Sequence, residues 1–135
     1  MQLHKYSDIL LQHMAQAKVI FFKNEKECPV LEWLETLPDK AKAKGRARIE
    51  GLTNMGYELP RPAADTLRDG VHELRWRLGR VQYRILYCFA SHERNQAVLL
   101  LGFRKEDDKV ENKDIELALK RINLYNTNPQ QYTYI

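Results

Sequence analysis

The chain has 135 residues, 44% hydrophobic and 30% charged, with a net charge of +4. That is globular composition and enough chain for one core without metals or disulfide staples. It excludes a membrane-spanning helix, since no apolar run approaches the ~20 residues a span needs. The two cysteines, Cys28 and Cys88, lie far apart with no CxxC spacing, which argues against a disulfide framework and a structural zinc site. Met1 to Tyr6 lacks the apolar core of a signal peptide, so a cytoplasmic location is expected.

In chain order, Ile9, Leu10, His13, Met14 and Ala17 fall at helical spacing and predict a short amphipathic helix over Tyr6–Gln16. The β-branched and aromatic run Val19–Phe22 predicts a strand. Pro29 opens a helix at a position where its missing N–H costs nothing. Val30, Leu31, Trp33, Leu34 and Leu37 form its apolar face, and Pro38 ends it. Asp39–Met55 predicts a second helix, basic outside, with a thin stripe of Ala41, Ala47, Ile49, Leu52 and Met55. Gly45 and Gly51 weaken it, and Gly56 suits its C-terminal cap.

Residues 56–70, with Pro60, Pro62 and Gly70, read as irregular. Strands are predicted at Val71–Leu78, Val81–Ala90 and Gln96–Phe103, joined by a Gly79-Arg80 turn and a Ser91–Asn95 loop. A last helix is capped by Asn112 or Asp114, with Ile115, Ala118, Leu119 and Ile122 inward. The order β-α-α-β-β-β-α predicts an α+β domain: two or three helices on a small, mainly antiparallel sheet.

The charge is concentrated. Lys40 to Arg84 holds eleven Lys or Arg against six acids from Asp39 onward, and Leu74 to His92 holds four arginines and no acid. Strand alternation puts Leu74, Trp76 and Leu78 on one face, and Glu73, Arg75 and Arg77 on the other. If Gly79-Arg80 is a two-residue hairpin loop, Trp76 faces Tyr83, Arg77 faces Gln82, and Arg75 lies opposite Arg84. Three arginines then share a face with Glu73 as the only nearby acid. Like charges directly opposite each other are destabilising, so a polyanionic partner is expected; the plainer alternative is a solvated sheet face covered by arginine stems. The third strand is almost continuously apolar and ends in Arg104-Lys105, which would complete a basic concave site. Gly102 leaves room for a close approach to its backbone.

The blocks Leu67-Arg68-Asp69-Gly70-Val71-His72-Glu73-Leu74-Arg75, Tyr83-Arg84-Ile85-Leu86-Tyr87 and Leu99-Leu100-Leu101-Gly102-Phe103-Arg104-Lys105, with Asp114-Ile115-Glu116-Leu117-Ala118 after them, resemble the RelE/HigB toxin superfamily. The likeness is greatest to its phage-derived HigB-like branch. It covers residues 18–125 of an expected single domain, 1–135, leaving 1–17 as an N-terminal extension and 126–135 as a tail.

The resemblance implies the toxin of a type II toxin–antitoxin pair, an endoribonuclease that cuts messenger RNA on the ribosome without a metal or other cofactor. Its partners would be the ribosome, mRNA and a cognate antitoxin, expected to be a helix-turn-helix DNA-binding protein. Arg75 and Arg77 match the family's basic positions before its YR motif, Arg84 matches the arginine of that motif, and Arg104, with Lys105 beside it, matches the basic position after the last core strand. The tyrosine many RelE-type members carry beyond that strand has no counterpart in Glu106–Val110.

Chemically, attack of a 2′-hydroxyl on the adjacent phosphate builds charge that fixed guanidiniums stabilise. Arginine is a poor base, and His72, Glu73, His92, Lys105 and Asp107 are the candidates for acid and base. Lys40, Lys44, Arg48 and Arg80 are candidate RNA contacts, and the Lys40–Arg48 helix could equally dock the antitoxin. Tyr132 and Tyr134 in the tail would cap the sheet or mediate self-association. Two alternatives share the fold: a ParE-like gyrase-inhibiting toxin and an inactive, prophage-derived binding protein.

Overall fold

A computed structural model describes residues 16–105 and 110–134. The helix predicted over Tyr6–Gln16, and Asp107, lie outside the described residues, save for Gln16 itself. The predicted α+β class is observed. The chain runs β1 (Lys18–Phe22), α1 (Pro29–Glu35), α2 (Asp39–Met55), a 3-10 turn (Gly56–Glu58), β2 (Ala64–Thr66), β3 (His72–Leu78), β4 (Val81–Phe89), β5 (Gln96–Lys105), α3 (Asn112–Thr127) and β6 (Thr133–Tyr134). The strands form one sheet in the order β2-β3-β4-β5-β1-β6, antiparallel except for the β1–β5 pair.

Two strands were not expected. β2 falls within the stretch read as irregular, and β6 within the tail. Each is too short for alternation to show in sequence. In the tail, β6 pairs with β1, and Tyr132 stacks on Phe22 with ring centroids 5.7 Å apart.

Helices cover both faces. On one, Val30, Leu34 and Leu37 of the α1 region and Ala41 and Leu52 of α2 pack on Leu74, Trp76, Ile85 and Leu99. On the other, Ile115, Ala118 and Tyr125 of α3 pack on Leu86, Cys88, Val98 and Leu100. β5 is therefore buried on both sides over Gln96–Leu101, which explains its unbroken apolar run.

Three expectations about the helices change. Ala47 and Met55 of α2 are exposed, and Gly45 is buried in the stripe instead. A Cβ on Gly45 would lie 2.7 Å from Cζ2 of Trp76, so the residue that weakens the helix is what lets it sit on the sheet. Glu111 holds the N-cap position of α3 without a side-chain cap hydrogen bond, while Asn112 accepts a hydrogen bond from Arg68 and Asp114 faces Lys105. Tyr125, absent from the predicted inner face of α3, is fully buried there alongside Ala118, while Leu119 and Ile122 pack there half-buried.

Gly102 does admit a close approach, and what approaches is internal. The Trp33 indole lies where a Cβ would go. Trp33 in turn meets Trp76, with centroids 5.9 Å apart. Two glycines thus seat the two tryptophans that join α1 and α2 to the sheet.

Candidate functional site

The Gly79-Arg80 turn sets the site. Gly79 has φ +61°, as a two-residue hairpin loop requires. The register is Leu78↔Val81, Arg77↔Gln82, Trp76↔Tyr83 and Arg75↔Arg84, as the sequence predicts. Arg75, Arg77 and Arg84 therefore share the face turned away from α1 and α2. α3 covers the Leu86–Cys88 end of that face. At the arginine end a cleft of about 270 Å³ is lined by Arg48, Pro62, Arg75, Arg77, Gln82 and Arg84.

The three arginines differ. Arg77 is exposed at the cleft rim. Arg75 is half-buried, and its Nε donates to the Pro62 carbonyl at 3.1 Å. Arg84 is only 5% exposed, and its guanidinium donates to Gln82 Oε1 at 2.5 Å.

Beneath the pair lies Glu73, 4% exposed. Its Oε1 is 3.5 Å from Nη1 of Arg75 and its Oε2 is 3.4 Å from Nε of Arg84. Burial pushes the Glu73 carboxyl above its ordinary range, against the pull of Arg84 and then Arg75. Glu73 is not the only acid at hand. β2 brings Asp65 to 3.9 Å from Nη1 of Arg75, and Asp65 also pairs with Arg61 at 3.3 Å. That acid was missed because β2 was missed.

Beyond β2, the outer edge of β3 is closed by α2. Arg48 Nε donates to the Arg75 carbonyl at 2.8 Å and Lys44 Nζ to the Arg77 carbonyl at 3.0 Å. Basic side chains on a sheet edge block strand addition. Of the cations expected to touch RNA, Lys44 and Arg48 thus hold the strand, while Arg48 also lines the cleft. Lys40 and Arg80 are exposed, at the start of α2 and the tip of the hairpin.

The end of β5 divides its two cations. Lys105 pairs with Gln82 and so lies on the arginine face, but its ammonium is held 3.2 Å from Glu111 and 3.7 Å from Asp114. Arg104 pairs with Tyr83 and so belongs to the opposite face. The register brings Arg75, Arg77 and Arg84 together and leaves Arg104 apart.

Of the candidate acids and bases, His72 shares the Tyr87 face. It stacks on that ring at 5.3 Å, and burial pushes its imidazole below the ordinary value. His92 sits in the loop at the far end of β4, against Tyr125. Among the described residues, Glu73 is the one of these candidates whose carboxylate lies against the arginine pair.

Such a cleft is suited to anion binding: fixed guanidiniums at an open sheet end, matched to phosphate in two-point geometry. Residues 32–123, which run from within α1 to most of α3 and carry the whole arginine face, match the family described as Phage derived protein Gp49-like (DUF891). The chain belongs to this family of phage-derived, toxin-like proteins, which is associated with RelE-type proteins. No curated protein matches the chain. Among the described residues, no helix is long and apolar enough to cross a membrane.

Proposed function

We propose that this protein is the toxin of a type II toxin–antitoxin pair, of the HigB-like branch, and that it cuts messenger RNA on the ribosome. The observation that carries the reading is the paired Arg75 and Arg84 beside the exposed Arg77, at the one end of this sheet face that α3 leaves uncovered.

In the reaction, the RNA 2′-hydroxyl gives up its proton and attacks the adjacent phosphorus. The bond to the 5′-oxygen breaks, that oxygen takes up a proton, and a 2′,3′-cyclic phosphate and a 5′-hydroxyl end result. Arg75 and Arg77 donate to the phosphoryl oxygens as charge builds there. Arg84, too buried to reach far into the cleft, sets the Arg75 side of it through Glu73. The partner that restrains the activity is an antitoxin, a helix-turn-helix DNA-binding protein, and the reaction needs no metal.

The test is mapping of 5′-hydroxyl ends in cellular mRNA after brief induction, comparing the natural chain with an Arg75→Ala/Arg77→Ala variant that accumulates folded. New ends within translated frames, lost in the variant, are expected. Transcripts left uncut by the folded natural chain contradict the reading and favour gyrase inhibition or a binding role.

A further inference from the structure

A second cavity, of about 210 Å³, lies around the edge of the sheet from the arginine cleft. Its floor is aromatic. His72 stacks on Tyr87 at 5.3 Å, and Phe89 meets both rings edge-on at 5.2 and 5.7 Å. Tyr57, on the 3-10 turn after α2, lines it while remaining 63% exposed. Arg61 and Asp65 form the polar rim.

Asp65 also joins this cavity to the cleft. It pairs with Arg61 on one side and with Arg75 on the other. Pro60 and Arg61 line the aromatic cavity, and Pro62 lines the cleft. Along β3 the two sites are separated by His72 to Arg75, about 10 Å at ~3.3 Å per residue.

An exposed tyrosine, a stack of rings and a mixed-charge rim are what unstacked nucleobases use: a flat surface for the base and polar groups for its edge. We propose that this slot binds one nucleobase of the single-stranded RNA whose phosphates occupy the arginine cleft. The strand turns around β2 between the two sites. This rests on the RNA-cleaving reading above. A protein side chain as occupant is less favoured, because Asp65 ties the rim of the slot to Arg75 of the basic cleft.

Two titrations on the full chain test it: adenosine, which lacks a phosphate, followed by NMR, and a fluorescein-labelled single-stranded RNA heptamer, followed by anisotropy. The variants are Tyr57→Ala and, for the cleft, Arg77→Ala, both at exposed positions. Adenosine is expected to shift ring signals of Tyr57, His72 and Phe89 saturably. Tyr57→Ala is expected to weaken heptamer binding about 5- to 150-fold, in line with the loss of one base stack, with an unchanged salt slope. Arg77→Ala is expected to lower that slope.

Heptamer binding unaffected by Tyr57→Ala, or adenosine shifts that avoid the slot, overturns the proposal. If Arg77→Ala alone matters, the ribonuclease reading stands without the slot. If the slot binds adenosine and RNA but no mRNA is cut, the slot stands and the ribonuclease reading falls. No binding of either probe overturns the slot and leaves the ribonuclease reading to the mapping of mRNA ends.

Discussion

Arg75 lies directly opposite Arg84 across the β3–β4 hairpin, and both guanidiniums converge on the two oxygens of one buried carboxylate, Glu73. Two like charges facing each other would push the strands apart. Glu73 offsets that repulsion from below and holds Arg84 beneath the cleft and Arg75 in its wall.

The arginines therefore differ in what their loss does to the fold. Arg84→Ala leaves a buried Glu73 without its closest counter-charge and should cost about 3–5 kcal/mol. Arg77→Ala removes a side chain exposed to solvent and should cost less, within about 1 kcal/mol, as exposed charged groups do. Urea unfolding of the two variants measures the difference.

Neutralising Glu73 separates binding from chemistry. Glu73→Gln adds one net positive charge to the face, so RNA binding should tighten and its salt slope steepen by about one. The same change removes the common anchor of Arg75 and Arg84, so cleavage should slow. Anisotropy and single-turnover cleavage check the split, and a parallel loss of both would contradict it.

The hairpin register was legible because a two-residue turn leaves the alternation of both strands no freedom. The β4–β5 register was not. The loop at 91–95 fixes none, and β5 carries an irregularity opposite Leu86/Tyr87, where Leu100 falls between the partners Leu99 and Leu101. That is why Arg104 and Lys105 could be placed at the strand end but not assigned to faces. Arg121 donates to the Leu100 carbonyl at 2.7 Å, a role nothing in the local pattern signals. Gly102 was readable as a point of close approach, but only the folded chain shows that Trp33 fills it.

That packing gives a stability test. Gly102→Ala forces a methyl into the Trp33 indole and Gly45→Ala one into Trp76. Each should destabilise by about 1–3 kcal/mol as an overpacked core, despite the gain in helix propensity at Gly45. Thermal unfolding of both variants is the measurement, and unchanged midpoints would refute the seating of the tryptophans.

His72 sets a pH dependence. Its pKa is pushed down by burial from an ordinary 6.5, so the unfolded chain binds a proton that the folded chain refuses. Its stability contribution is complete above 6.5 and is lost as pH falls through the window below. His72→Phe should flatten the acid-side loss of stability, read as urea midpoints across that range. A variant curve parallel to that of the natural chain would contradict the burial.

The most direct test of the account is cleavage of a defined mRNA programmed into purified ribosomes, with the natural chain and with Arg77→Ala. The account predicts cuts ending in 2′,3′-cyclic phosphate, only when the ribosome is present, and reduced at least tenfold by Arg77→Ala, about the 1.4 kcal/mol of one charge-assisted contact. Equal cutting by both chains, or none by a folded natural chain, would contradict the arginine face as the seat of the activity.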